Sequence, residues 1–281
     1  MEPKDIRLVS LDCDGTLFSR HGTLSEYSAS VLKKLREKGI TVVICTGRPV
    51  YSIERAVSPE YYDYAVCGNG FAVVKNDGTV LYRAEYMKKE EIRELIRYVE
   101  EKNVMLSVSY DDSFHHFCSK RHHFAVWSVQ KLKNIARRIL GRHLWKDTLN
   151  SDYEIVMDKQ IEKICYSGMP AVLKAIKDEI DETRYSRFLV NAMWLEIMPH
   201  EIDKGSGMKK VMDMLGIEKE YTAALGDGEN DLPMLRTAGC AVAMRNAMES
   251  LKNEADFITE EDFDNDGAAK WMERHILKNQ Q

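Results

Sequence analysis

Asp12 and Asp14 stand one residue apart in Asp12-Cys13-Asp14-Gly15-Thr16-Leu17, directly after the apolar run Ile6–Leu11. Leu8, Val9 and Leu11 read as a buried strand entering a loop. Side chains alternate along a strand, so both acids would share one side if it continued. Gly15 breaks it and lets the backbone approach a ligand. Like charges this close are costly unless a cation or a shared proton lies between them. Taken alone, the hexapeptide could be an acidic turn, but three further segments argue against that. Thr46-Gly47-Arg48 follows a second apolar run, Ile40–Cys45. Lys204 opens Lys204-Gly205-Ser206-Gly207 before a helical pattern, and Gly226-Asp227-Gly228-Glu229-Asn230-Asp231 follows the run Thr222–Leu225. An acid pair, a hydroxyl, a lysine and a second acid cluster at strand ends form a Mg2+ and phosphate site if the strands are parallel, because open α/β sheets bind ligands beyond their carboxyl ends.

Phosphate monoesters hydrolyse very slowly unaided, so such a site must neutralise charge and supply a nucleophile. Asp12 can attack phosphorus and form an aspartyl-phosphate. Asp14 is then the natural general acid for the leaving oxygen and, later, the base for the hydrolytic water. Mg2+ takes one or two carboxylates plus phosphate and water. Asp12, the backbone carbonyl of Asp14 and Asp227 supply that set, with Asp231 either ligating or orienting a ligand water or Lys204. Asp231 could instead simply cap a helix. Thr46 and Lys204 would bind the phosphoryl oxygens as hydroxyl donor and point charge, against a strand-end cap and a solvated lysine. Gly47 fits a turn beside the substrate. Arg48 either binds substrate or braces the loop. Asn69, Asn230 and Asn246 could reach a substrate phosphate or hydroxyl, although Asn69-Gly70 is also strong turn chemistry.

The motif order Asp-x-Asp-Gly-Thr-Leu, Thr-Gly-Arg, Lys-Gly and Gly-Asp-Gly-x-Asn-Asp resembles the haloacid dehalogenase-like hydrolases, and among them the Cof-type, IIB subgroup. The resemblance runs through Asn69-Gly70, Ala243–Ala247, Ala255–Thr259 and Asp266–Ala269. It implies Mg2+-dependent phosphatases of small phosphorylated metabolites, with the roles above at the matching positions. Arg245 departs from the family pattern, which often has Gly there; a charge near the site mouth would favour an anionic substrate or point to solvent. A phosphomutase of the phosphomannomutase type and a non-catalytic metabolite-binding protein are the alternatives to a phosphatase.

The elements that must position these residues follow from periodicity. Residues 6–48 read as a βαβ unit whose helix starts after Ser25 and ends at Gly39. The same grammar returns after residue 199, with a helix from about Gly207 to Leu215, a strand to Leu225, a helix Asp231–Ala238 and a strand Cys240–Ala243. Together these imply an α/β fold, a doubly wound parallel (Rossmann-like) sheet formed by residues 1–83 and 199–281. The middle, 84–198, reads as an inserted α+β module: a helix Lys88–Lys102, runs at Met105–Tyr110, Phe114–Cys118, Tyr153–Met157 and Ile164–Ser167, helices at about 124–140 and Pro170–Ile180, and strands near Phe188–Val190 and Trp194–Met198. In the resembled family this module is the substrate-specificity cap. Its His115-His116 and His122-His123 read as exposed residues or substrate contacts.

With 281 residues, 44% of them hydrophobic, the chain can bury one large or two modest cores. A net charge of −5 with no clustered basic face argues against nucleic-acid partners, and Lys131, Lys133, Arg137 and Arg138 read as a solvated helix face. No apolar stretch approaches the ~20 residues of a membrane span, and the first residues lack a signal-peptide core. Six cysteines without a Cys-x-x-Cys pair suggest a reducing, cytoplasmic compartment. Met208, Met212, Met214 and Leu215 read as helix core, and the four tryptophans as packing residues. A small phosphorylated molecule is the partner these features imply; nothing in them separates a monomer from a homodimer.

Overall fold

The computed structural model describes residues 5–110, 113–119, 131, 135, 149–190 and 192–278. Apart from Lys131 and Ile135, which are helical, the expected helix at 124–140 lies outside them, as do His122, His123, Trp127, Trp145, Lys133, Arg137 and Arg138. The chain forms two compact units, Met1–Glu85 with Glu201–Gln281, and Tyr86–His200.

The first unit is built on β1 (Leu8–Leu11), β2 (Thr41–Cys45), β3 (Tyr64–Cys67), β4 (Ala72–Lys75) and β5 (Val80–Arg83), joined after the second unit by β12 (Thr222–Gly226), β13 (Cys240–Ala243) and β14 (Phe257–Ile258). They form one sheet in the order β14-β13-β12-β1-β2-β3-β4-β5. The strands from β14 to β3 pair in parallel. β1 and β12 are buried throughout, as continuous apolar runs in a sheet covered on both faces should be. Sequence order reverses at β1, which pairs with β2 on one side and β12 on the other, and Leu11 lies level with both Leu225 and Ile44. The ends of these strands are therefore neighbours, at the switch point where such sheets bind ligands.

Between them run α1 (Glu26–Glu37) and α2 (Val50–Ala56). Ser25 caps α1 by accepting the Ser28 N–H, and Val31, Leu32 and Leu35 are buried along one face. Two antiparallel strands, β4 and β5, extend the sheet beyond the parallel arrangement expected. They are short and β5 is largely exposed, so their alternation is weak. The turn Asp77-Gly78, with Gly78 at φ +84°, is the hairpin signal that marks them.

The second unit holds β6 (Met105–Tyr110), β7 (Ser113–Phe117), β8 (Leu149–Asn150), β9 (Ile164–Ser167), β10 (Tyr185–Val190) and β11 (Trp194–Pro199), in the order β10-β11-β9-β6-β7-β8. All neighbours are antiparallel except β7 and β8. Helices α3 (Lys89–Glu101) and α4 (Pro170–Glu179) bury Ile92, Leu95, Val99, Leu173 and Ile176 in one cluster with Leu106, Val108, Tyr166 and Ile197 of the sheet. Tyr153–Val156 is a short 3-10 helix rather than an extended run. His115 and His116 are half-buried, not exposed. His115 stacks on Tyr110 with ring centres 3.8 Å apart, and His116 Nδ1 shares a 2.7 Å hydrogen bond with Ser107.

Back in the first unit, α5 (Lys204–Leu215) begins three residues before the expected start. Two glycines in its first turn depress helix propensity and mask its beginning. Met208 and Met212 are core, but Met214 and Leu215 are exposed, because they fall on the solvent side of the last turn. Trp194 is also partly exposed. Among the described residues no helix is long and apolar enough to cross a membrane.

Candidate active site

Asp12 leaves the end of β1 with its N–H on the Leu225 carbonyl of β12, at 3.1 Å, and Asp227 follows the end of β12. Carboxylate oxygens of Asp12, Asp227 and Asp231 come within 4.8 Å of one another. Between them sits Lys204, wholly buried, with Nζ donating to Asp12 Oδ1 at 2.5 Å and to Asp231 Oδ1 at 2.6 Å. The lysine is therefore not a solvated surface residue.

The chain around Lys204 explains its depth. Asp203 caps α5 by accepting the Ser206 N–H at 2.7 Å. A Cβ on Gly205 would lie 2.4 Å from the Pro233 carbonyl oxygen, and one on Gly207 would lie 2.3 Å from Val66 Cγ1. Only glycines let this helix end approach so closely, and the approach carries the lysine stem into the core.

Asp231 stands at the N-cap of the following helix, α6 (Leu232–Thr237), but its side chain makes no hydrogen bond to that helix. Its Oδ2 accepts the N–H groups of Asp227 and Gly228, both at 2.9 Å, so it folds its own loop while anchoring Lys204. Asp227 is held more loosely, by Thr16 Oγ1 at 3.3 Å and Asn246 Nδ2 at 3.4 Å. Thr16 lies in the first motif, but nothing in the sequence marks its hydroxyl as a partner of Asp227. Gly15, at φ +92°, sits so close that a Cβ there would be 2.3 Å from Asp227 Oδ2.

The other candidates are placed as follows. Thr46, buried at the end of β2, accepts the Arg48 N–H at 3.1 Å; its hydroxyl proton remains able to donate. Arg48 grips Asp14 through two hydrogen bonds. Asn69 and Asn230 are both buried and bonded to each other at 3.2 Å, with Asn69 at φ 52°. Asn246 ties the first motif to the C-terminal region, donating to the Gly15 carbonyl at 2.9 Å and accepting the Phe263 N–H at 3.2 Å. Arg245 is fastened to the Glu260 carbonyl at 2.8 Å. Gly47 joins Thr46 to Arg48 in the turn after β2.

Charge is unbalanced here. Burial pushes the Asp12 carboxyl well above the usual carboxylate range, against the charge of Lys204, and Asp231 and Asp227 add to the rise. Burial also raises Asp227 to about 7, with Asp231 contributing. Burial would lower the Lys204 ammonium, but Asp12 and Asp231 outweigh it and hold it well above its ordinary value. Three carboxylates thus crowd one ammonium, and all the remaining donors are oxygens. A hard divalent cation fits that set.

The sequence profile of haloacid dehalogenase-like hydrolases matches residues 9–272. The chain belongs to this family. Among curated relatives of this haloacid dehalogenase-like hydrolase is a 5-amino-6-(5-phospho-D-ribitylamino)uracil phosphatase of Bacillus subtilis, 26% identical over 96% of this chain and 98% of that protein. An HMP-PP phosphatase of Klebsiella pneumoniae is 28% identical over 88% and 87% of the two chains. A solved phosphatase of the superfamily from Bacteroides thetaiotaomicron shares the fold with a TM-score of 0.78, at 24% identity over 96% of this chain and 95% of that one. A subclass IIB sugar phosphatase does so at 0.76, with 23% identity over 95% and 98%.

Proposed function

We propose that this haloacid dehalogenase-like phosphatase hydrolyses small phosphorylated metabolites with Mg2+, through a phosphoryl group carried on Asp12. The observation that carries the reading is the excess of buried negative charge where β1 and β12 end, centred on Lys204. Asp12 and Asp227 are the best holders for the cation, with the backbone carbonyl of Asp14, because both oxygens of Asp231 are already committed to Lys204 and to backbone N–H groups. Bound there, Mg2+ would offset the charge of the phosphoryl oxygens.

The side chains supply the rest. Lys204 fixes the rotamer of Asp12 and aims one oxygen at phosphorus. As the Asp12–phosphorus bond forms, the bond to the leaving oxygen breaks and Asp14 gives that oxygen a proton. Asp14 then takes a proton from water as the water oxygen attacks phosphorus, and Asp12 and inorganic phosphate are released. Thr46 and Lys204 are the candidate donors to the phosphoryl oxygens. The similar phosphatases are named for a ribitylaminouracil phosphate, HMP-PP and sugar phosphates. Such a spread supports small phosphorylated metabolites as the substrate class, and the inserted unit Tyr86–His200 as the part that sets the choice. All six cysteines are free and buried, which supports a cytoplasmic setting.

A phosphate-release screen over phosphorylated metabolites tests this reading. Release from at least one of them with Mg2+, lost in chelator, is expected; none across a broad panel from folded protein would overturn it. The metal assignment has its own signature. Asp227 titrates near 7 in the folded, metal-free protein, far above an ordinary carboxylate. Below that pH the cation must displace its proton. Mg2+ affinity should therefore fall at least tenfold per pH unit well below 7, more if Asp12 must also lose a proton, and thermal stabilisation by Mg2+ should be larger at pH 8 than at pH 6. Equal shifts at both would remove Asp227 from the metal set.

A further inference from the structure

Both oxygens of Asp14 are engaged by one partner. Arg48 Nε donates to Oδ2 at 2.9 Å and Nη2 to Oδ1 at 2.7 Å. Among the described residues, the Asp14 carboxylate takes hydrogen bonds from Arg48 alone. The arginine itself is held at its base, where its N–H meets Thr46 Oγ1. It is also held along its length, with Cζ 5.3 Å from the ring centre of the buried Phe18. The acid is half-exposed, at 55% for its side chain, so the arginine rather than packing sets where it points.

This arrangement conflicts with the task proposed for Asp14. A carboxyl whose two oxygens both accept from a guanidinium fork cannot present a proton to a leaving oxygen, nor receive one from water, until one oxygen is released. The same fork matches two oxygens of a phosphate as well as it matches a carboxylate. The pair is open to solvent on the acid side, where water and salt screen it, so an arriving dianion can compete for the same fork.

We infer that Arg48 is a positioning residue that exchanges partners, pairing with Asp14 in the resting enzyme and with a phosphoryl oxygen of the bound substrate. Phosphate binding then frees Asp14 for its acid and base steps. The inference rests on the phosphatase reading. On this inference the two roles that the sequence leaves open for Arg48, loop brace and substrate contact, are two states of one side chain.

Inorganic phosphate, titrated calorimetrically into the full chain with saturating Mg2+, tests the exchange without turnover. Asp14→Ala releases Arg48 and should tighten phosphate binding about two- to fivefold, the worth of the exposed pair. Arg48→Gln should weaken it about tenfold or more, the worth of charged hydrogen bonds. The deciding measurement is the double variant. In the Arg48→Gln background, Asp14→Ala should bring no tightening, because nothing is left to release. Arg48→Lys should show at most part of the coupling, since an ammonium engages oxygens as a point charge. Equal tightening in both backgrounds would mean only general charge repulsion from Asp14, and would overturn the exchange, as would no tightening in either. Thermal melts check that each variant is folded. Failure of the phosphatase reading would look different: the unaltered enzyme would release no phosphate from any substrate, whatever the outcome of this cycle.

Discussion

Asp12→Asn should abolish phosphate release, by about 10^4-fold or more, the scale seen when a catalytic nucleophile is removed. An amide cannot displace the leaving group from phosphorus and is a poor ligand for a hard cation. The fold should survive. Asp12 is one of three crowded carboxylates, and burial already disfavours its charged form, so a neutral side chain of the same shape relieves the pocket. Lys204 keeps Asp231 as a partner. Melting of the metal-free variant should stay within a few degrees of the parent, while the stabilisation brought by Mg2+ shrinks. Phosphate release measured on the best substrate of the screen decides the matter. Activity within tenfold of the parent would mean that another group attacks phosphorus, and the assignment of Asp12 would fall.

The contrast between what the sequence shows and what it hides follows from the range of the interactions. Local rules are readable. Ser25 accepts an N–H of its own helix, and the strand ends before Asp12 and Asp227 follow from continuous apolar runs, so the α/β sheet and the separate inserted module could be anticipated. The motif order identified the family before any strand was paired. Contacts between distant segments left no local trace. Lys204 and Asp12 are 192 residues apart, and nothing near Lys204 announces a buried lysine; its two glycines look like helix breakers until Pro233 and Val66 are seen beside them. Asp231 looks like a helix cap because its neighbours do, yet its side chain turns back to Asp227 and Gly228. Asn69 and Asn230 each suggest a free amide, but Asn230 donates to Asn69 across the loop. The exposed hairpin strand β5 lacks the burial that makes alternation visible.

Lys204→Met should produce the largest loss of stability of any single change in the site. Methionine retains most of the apolar stem, so packing in α5 is largely kept and the change isolates the charge. Asp12 Oδ1 and Asp231 Oδ1 both lose their ammonium partner. Breaking a buried ion pair from one side costs about 3–5 kcal/mol, which for a unit of this size is a fall in melting temperature of roughly 10 °C. The sign of the pH dependence follows from Asp12. Its carboxyl already lies above the usual range, and Lys204 is the charge that opposes the rise. Without Lys204 the folded-state value climbs further, while the unfolded value stays that of an ordinary carboxylate. A group raised on folding contributes stability that is full below its unfolded value and is lost as pH climbs to the folded value. The variant should therefore lose stability from pH 5.5 to pH 8 more steeply than the parent. Mg2+ should recover part of the loss at pH 8 by replacing the missing positive charge, yet turnover should stay low, because Asp12 is no longer aimed. Thermal unfolding at the two pH values, with and without Mg2+, reads all of this. A variant as stable as the parent at pH 8 without metal would show that Lys204 does not counter the carboxylates, and the charge imbalance on which the phosphatase reading stands would have to be abandoned.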